Sequence, residues 1–353
     1  MSTIRTGTQL LTQAEHLLSR RDPDALRNFH LAESCGADPD RCAAGRWMAH
    51  MFAGDFASAW LESDAIRLRK GPDPHRMWTG EDLQGRNIIV RCLHGYGDAV
   101  QFLRFAPQLR NLAANVTYEV PPALYELAQH IEGVENVVTW GRLAPVHPVS
   151  WDTQIEIMEL PYIFRTELRD LPLAENYVHP PQSRCNCINR KLGRNHPRVG
   201  VAWAAGEWNQ TRSIPFADFS ALLSQPSCEF WSLQGGAAQS DWNQLPPSPR
   251  LRDSADLGDG ILNLACIISQ LDLVITVDTL AAHLAGAMGI PAWVLLQHAA
   301  DWRWMARGST SPWYPSLRLF RQHSPGDWSI LIDEVRQELH AWTQLCSRPQ
   351  KIA

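Results

Sequence analysis

From Asn87 the chain alternates short β-branched runs with segments of helical spacing, an order that calls for parallel sheets with helices on their faces. NIIVRCL leads through the loop HGYGD into AVQFLRFAPQLRNLA. NVTYEV, a helix opened by Pro121-Pro122 (ALYELAQHI) and NVVTW then complete a βαβαβ unit. The rhythm stops after SWDTQIEIMELPYIF, in the polar stretch PPQSRCNCINRKLGRNHPR, and resumes at Arg198. VGVAWA, CEFWSLQ, LDLVITV and AWVLLQ read as strands. Helices intervene at FADFSALLSQ, ILNLACIISQ and TLAAHLAGAMG, and GDWSILIDEVRQELHAW closes the chain as a helix. The expected fold is α/β, with two Rossmann-like domains facing a cleft, because open α/β sheets bind ligands at the carboxyl ends of their strands.

Ahead of the first strand the pattern is helical. TQLLTQAEHLLSRRD sets Leu10, Leu11, Ala14, Leu17 and Leu18 on one face, and three more helices are expected over ALRNFHLAESCG, about Pro39 to Gly54, and FASAWLESDAIRLRK. Paired short helices with small residues at their crossings look like one or two tetratricopeptide-type repeats, too few to be stable without docking on the rest of the chain. GPDPHRMWTGEDLQG reads as a linker. The expected division is 1–80 for this segment and linker, 81–185 and 186–325 for the two Rossmann-like halves, and 326–353 for the closing helix and tail.

Charge and hydropathy narrow the partners. The 353 residues carry 32 basic and 37 acidic side chains, a net −5, which lacks the basic footprint of general nucleic-acid binding. No apolar run reaches the roughly 18 residues of a membrane span, and the first residues lack the order of a signal peptide. A cytoplasmic location is expected, with room for peripheral membrane contact. The eight cysteines are scattered apart from Cys185 and Cys187, and reduced thiols are expected rather than a metal site. Fifteen tryptophans exceed what a core of this size requires. Trp302, Trp304, Trp313 and Trp328 fall after the last expected strand, where packing is favoured over stacking on a sugar or base.

Three loops at strand ends carry the candidate chemistry. In Leu93-His94-Gly95-Tyr96-Gly97-Asp98 a dinucleotide fingerprint is incomplete, with Val100 at its third glycine and only Glu119 as a candidate ribose anchor. Gly95 and Gly97 would instead let the backbone turn tightly and approach a ligand. Asp98, at a helix start, reads equally as a cap and as a general base. LDLVITV runs into Asp278, Thr279 and a small-residue helix, with Thr279 as its cap and the free amides as an anion site. His283, one turn on, reads either as a satisfied core histidine or as a site residue. After VGVAWA, Arg212 reads as a fixed cation for a diphosphate or as a surface residue beside a helix start. Gln234, before Gly235 and Gly236, would wall a base or ribose.

HGYGDAVQFLRFAPQL, RSIPFADF, SLQGG, LDLVITVDTLAAHLAGAMGIPAWVLL and DWRWMARGSTSPWYPSLRLFRQ together resemble bacterial tetratricopeptide-linked glycosyltransferases, relatives of the ADP-heptose heptosyltransferases with GT-B architecture. The resemblance spans about residues 40 to 345. It implies inverting, metal-independent transfer, without a cofactor, from an NDP-sugar, ADP-heptose or another, to a glycan, lipopolysaccharide or protein. Asp98 would be the base, Arg212 would lie near the donor phosphates, and Asp278, Thr279 and His283 would bind donor. The chain departs from the pattern at Leu93-His94, where relatives often show a glutamate-glutamine pair, and at Glu159, where a serine is usual. Both departures are expected on the acceptor side. Two other readings stand beside this one: a sugar-nucleotide epimerase or hydrolase of the same architecture, and an inactive interaction module.

Overall fold

A computed structural model describes residues 6–71, 78–140, 150–172, 176–192 and 196–346. Residues 72–77 of the expected linker lie outside them. Four helices open the chain, α1 (Gly7–Ser19), α2 (Asp24–Ser34), α3 (Pro39–Ala53) and α4 (Phe56–Lys70). Their ends follow from local chemistry. Thr6 and Gln9 form a reciprocal capping box, Asp38 caps α3 with Pro39 at its first turn, and Gly54 ends α3 in the left-handed conformation. Small residues do set the crossings, since a Cβ on Gly45 would stand 2.2 Å from the Phe29 ring.

The first sheet holds β1 (Asn87–Arg91), β2 (Asn115–Val120), β3 (Asn136–Thr139) and β4 (Thr153–Glu156), all parallel, in the order β3-β2-β1-β4. The second holds β5 (Arg198–Ala202), β6 (Glu229–Ser232), β7 (Leu251–Asp253), β8 (Leu273–Val277), β9 (Ala292–Leu296) and β10 (Leu317–Arg321), again parallel, in the order β10-β9-β8-β5-β6-β7. β5 and β8 are buried along their whole length, as expected of central parallel strands covered on both faces. The polar stretch expected to be an irregular break is instead helical over Gln182–Lys191. Cys185 and Ile188 give that helix a buried face, and Cys187, two residues on, is exposed.

The helical prefix shares its core with the sheets. Phe56 packs 5.8 Å from Trp313 and 6.2 Å from Trp302, and Trp47 meets Trp302 edge-on at 5.8 Å. Trp60 donates from Nε1 to the Thr166 carbonyl at 2.8 Å, and Arg21 reaches the Ala300 carbonyl at 2.7 Å. Trp302, Trp304 and Trp313 are buried in one core with the prefix and the first sheet, and Trp328 in the core of the second sheet, so part of the tryptophan excess is mortar between the prefix, the first sheet and the chain after β9.

Candidate functional site

Residues that directly follow β1, β2, β3, β5, β6, β8 and β9 converge on one cleft of about 1960 Å³. Leu93 to Asp98 line it from the first sheet. Ala202 to Gly206, Leu233 to Ala238 and Asp278 to Ala281 line it from the second, and Arg21, Met48 and Phe52 of the prefix close one side. This is where parallel α/β sheets collect ligand-binding loops, because the connections leave at the strands' carboxyl ends.

Asp98 stands at the third position of the Tyr96–Phe102 helix, and its two carboxylate oxygens do different things. Oδ2 accepts from the Gly95 amide at 3.0 Å, closing the helix start, while Oδ1 meets Arg303 Nη2 at 2.7 Å in the cleft. The cap and the cleft-facing carboxylate are therefore the same residue. Gly95 does not use a left-handed turn, having φ −67°. Gly97 serves close packing, since a Cβ there would stand 2.6 Å from Cδ2 of His283, across from the other sheet. The expected close approach is thus to a side chain of the second sheet.

His283 lies buried in the Leu280–Ala287 helix, with Nδ1 3.0 Å from the Tyr314 hydroxyl and Nε2 3.9 Å from Asp278 Oδ1. Burial holds its pKa down to about 3, so the imidazole is neutral at pH 7. Tyr314 also bonds the buried Arg104 and Tyr177, so its hydroxyl ties His283 to that buried polar cluster. Burial pushes the Asp278 carboxyl up, and Arg212, with Nη1 3.3 Å from its Oδ2, opposes that shift. Thr279 occupies the cap position, but its hydroxyl bonds Thr276 Oγ1 at 2.9 Å instead of capping the helix. The first-turn amides of that helix consequently receive no side-chain acceptor from Thr279.

Gln234 does not wall the cleft as a free amide. Its Oε1 accepts from the Trp203 and Ala204 amides at 3.0 and 2.9 Å, and its Nε2 donates to the Ala204 and Gly235 carbonyls. Three of these four bonds brace the loop after β5, and the fourth closes on Gln234's own loop after β6. Glu159 is not among the lining residues, because the 3-10 turn Ile157–Glu159 presents Met158 to the cleft instead. His94 lines the cleft mouth and is exposed. Glu119 pairs with Arg91 at 2.7 Å, which removes it as a ribose anchor. Among the described residues no cluster of three or more His, Cys, Asp or Glu side chains is placed to hold a metal ion.

Two residues escaped sequence reasoning. Arg303 lies in the DWRWM block, whose motif gives it no role of its own. It is buried with its guanidinium between Asp98 and Asp301, the latter at 2.8 Å, and 4.8 Å from the Trp302 ring centroid. Burial works against its charge, but Asp301 and Asp98 outweigh that and keep it a cation. Glu156, the last residue of β4, is buried with Oε2 accepting from the Met158 amide at 2.7 Å and Oε1 3.9 Å from His94. Burial pushes its pKa up to about 7.

A raised carboxyl pKa penalises ionisation in the fold. The stability it leaves intact below about pH 4.5 is lost as pH rises through about 7. Between pH 5 and pH 8 this removes about 2–3 kcal/mol. Glu156→Gln should flatten that fall in urea-denaturation midpoints; a variant with the wild-type slope would show that Glu156 is ionised well below neutrality.

No protein-family model matches the chain. Two solved structures superpose on most of it. E. coli ADP-heptose LPS heptosyltransferase II matches with a TM-score of 0.53 at 13% identity, over 74% of this chain and 100% of that one. A glycosyl transferase family 9 structure from Veillonella parvula matches with a TM-score of 0.50 at 12% identity, over 78% and 93%. The fold is GT-B-like. At such identities the likeness concerns the fold alone. Protein FlbA of Caulobacter vibrioides is 25% identical over 301 residues, covering 78% of this chain. The chain spans about half the length of that curated relative.

Proposed function

We propose that the protein is an inverting glycosyltransferase that moves a sugar from a nucleotide-diphosphate donor to a hydroxyl of a glycan or protein acceptor. One observation carries this reading: a carboxylate on a first-sheet loop, Asp98, faces the start of the Leu280–Ala287 helix of the second sheet across a single cleft. A donor lying against the second sheet would direct its diphosphate at that helix start and at Arg212, where amides and a guanidinium stabilise negative charge without a metal. Thr279, with Asp278 beside it, positions that end, and Gln234 holds the adjoining loop. His283, being neutral, offers a hydrogen bond and no charge.

The chemistry balances with these groups. The acceptor oxygen attacks the anomeric carbon from the face opposite the diphosphate, and its proton passes to Asp98. The carbon–oxygen bond to phosphate breaks, and its electron pair leaves with the nucleoside diphosphate. The heptosyltransferase II likeness makes ADP-heptose the first donor to try, with a lipopolysaccharide core among the acceptors. His94, Gly95 and Gly97 stand on the acceptor side of this scheme. A cytoplasmic setting fits a nucleotide-sugar donor, and no helix among the described residues is long and apolar enough to cross a membrane.

Product analysis over ADP-, UDP-, GDP- and CMP-linked sugars, with acceptor preparations present or absent, tests the proposal. Acceptor-dependent release of nucleotide with an inverted anomeric linkage is expected. Free sugar or an epimerised donor formed without acceptor would instead identify a hydrolase or epimerase.

A further inference from the structure

The cleft is poorly charged for the ligand assigned to it. Its lining carries five carboxylates, those of Glu15, Asp98, Asp241, Asp278 and Asp301, against the three guanidiniums of Arg21, Arg212 and Arg303. His283 adds no charge. Arg21 is engaged with the Leu18 and Ala300 carbonyls, and Arg212 is paired with Asp278. A diphosphate entering this cleft must therefore draw a cation away from a partner that already holds it, a carboxylate for Arg212 and Arg303.

Arg303 is built for that exchange. It holds two carboxylates at once, Asp301 on Nη1 and Asp98 on Nη2, so giving up Asp98 leaves one pair intact. Its Nε is buried and has no hydrogen-bond partner, a donor that an incoming phosphate oxygen would satisfy. Asp301 precedes Arg303 by two residues and also caps the same short turn, which keeps that half of the pairing fixed. Trp302 and Phe102 flank the guanidinium, with ring centroids at 4.8 and 5.6 Å. Asp98, by contrast, keeps the Gly95 amide whether or not Arg303 is present.

We propose that Arg303 transfers from Asp98 to the donor diphosphate when the donor binds, so that donor binding itself releases Asp98 to accept the acceptor's proton. This rests on the glycosyltransferase reading of the cleft and adds an order to it. Without donor, the base is held in an ion pair and a bare acceptor finds no free carboxylate. With donor, the same guanidinium neutralises the leaving group. Arg303 thus touches the base before donor binds and the substrate afterwards.

The test is a double-mutant cycle on nucleotide affinity with the full chain, using calorimetry with ADP, UDP, GDP and CDP. Asp98→Asn retains the amide contact but removes the competitor for Arg303, so the nucleoside diphosphate that binds wild type should bind this variant about 5-fold tighter. Arg303→Met should weaken binding by about 10-fold or more, and adding Asp98→Asn to it should restore nothing. Arg303→Lys, which keeps the charge, should fall between. Thermal unfolding of each variant checks that the fold persists. Unchanged affinity in Asp98→Asn, or equal tightening in the Arg303→Met background, would overturn the exchange while leaving the donor site standing. Absence of binding by every nucleoside diphosphate to wild type would remove the donor site and the exchange together.

Discussion

Asp98→Asn should lower kcat for sugar transfer by on the order of a hundred- to ten-thousand-fold, the range over which a positioned general base contributes. Asparagine fills the same volume and still accepts from the Gly95 amide, so the start of the Tyr96–Phe102 helix is preserved. Arg303 keeps Asp301. The change in unfolding free energy should consequently stay within about 1 kcal/mol, in line with loss of one partly exposed ion pair. A large loss of turnover with nearly unchanged stability and nucleotide binding at least as tight as wild type isolates the proton-accepting role. Turnover within a few-fold of wild type would assign Asp98 to capping alone, the other reading its sequence position allows.

Trp313→Ala should have the largest effect on stability, about 3–5 kcal/mol, because truncating a buried tryptophan leaves a cavity that its rigid neighbours cannot fill. Trp313 is fully buried and meets Phe56 of the prefix at 5.8 Å, Phe102 of the first sheet's leading helix at 5.7 Å and Trp302 at 6.0 Å. Its carbonyl also accepts from Arg104 at 2.9 Å, the arginine that bonds Tyr314 behind His283. One ring therefore joins the helical prefix, the Asp98 helix and the support of His283. Leu68→Ala is the control: Leu68 of α4 is 85% exposed, and its removal should change stability by no more than about 0.5 kcal/mol. Equal effects from the two substitutions would show that the prefix is not anchored through Trp313.

The architecture was legible where the local pattern was strong. The β-branched runs at Asn87, Asn115, Asn136, Arg198, Leu273 and Ala292 are strands, and the four prefix helices lie where their caps and apolar spacing put them. Three strands were not legible, each for a physical reason. β4 is TQIE, whose polar residues are tolerated because β1 supplies its hydrogen bonds along one side. β7 is three residues long, and β10 alternates leucine and phenylalanine with arginines in a stretch dominated by tryptophan and proline. The missed helix at Gln182–Lys191 carries only two buried residues, too few to show a periodic face.

The cleft was legible from its loops, because motifs that follow strands in sequence must gather at one edge of a parallel sheet. Partner choice was not. Nothing in the spacing of Asp98 and Arg303 announces an ion pair across 205 positions, and Thr279 caps its helix in position while its hydroxyl goes to Thr276. Gln234 and Glu159 each hold a motif position that says nothing of where the side chain turns. The rotamers that turn Gln234 onto the β5 loop and put Met158 at the cleft in place of Glu159 are decided by tertiary neighbours.

The measurement that bears most directly on the cleft as a donor site is calorimetric titration of the intact chain with ADP, UDP, GDP and CDP, in buffer with and without EDTA. One of the four should bind at one site per chain with an affinity that EDTA leaves unchanged, and Arg212→Met should weaken it by about 10-fold. Heat signals absent for all four, or binding abolished by EDTA, would contradict the proposed metal-independent site.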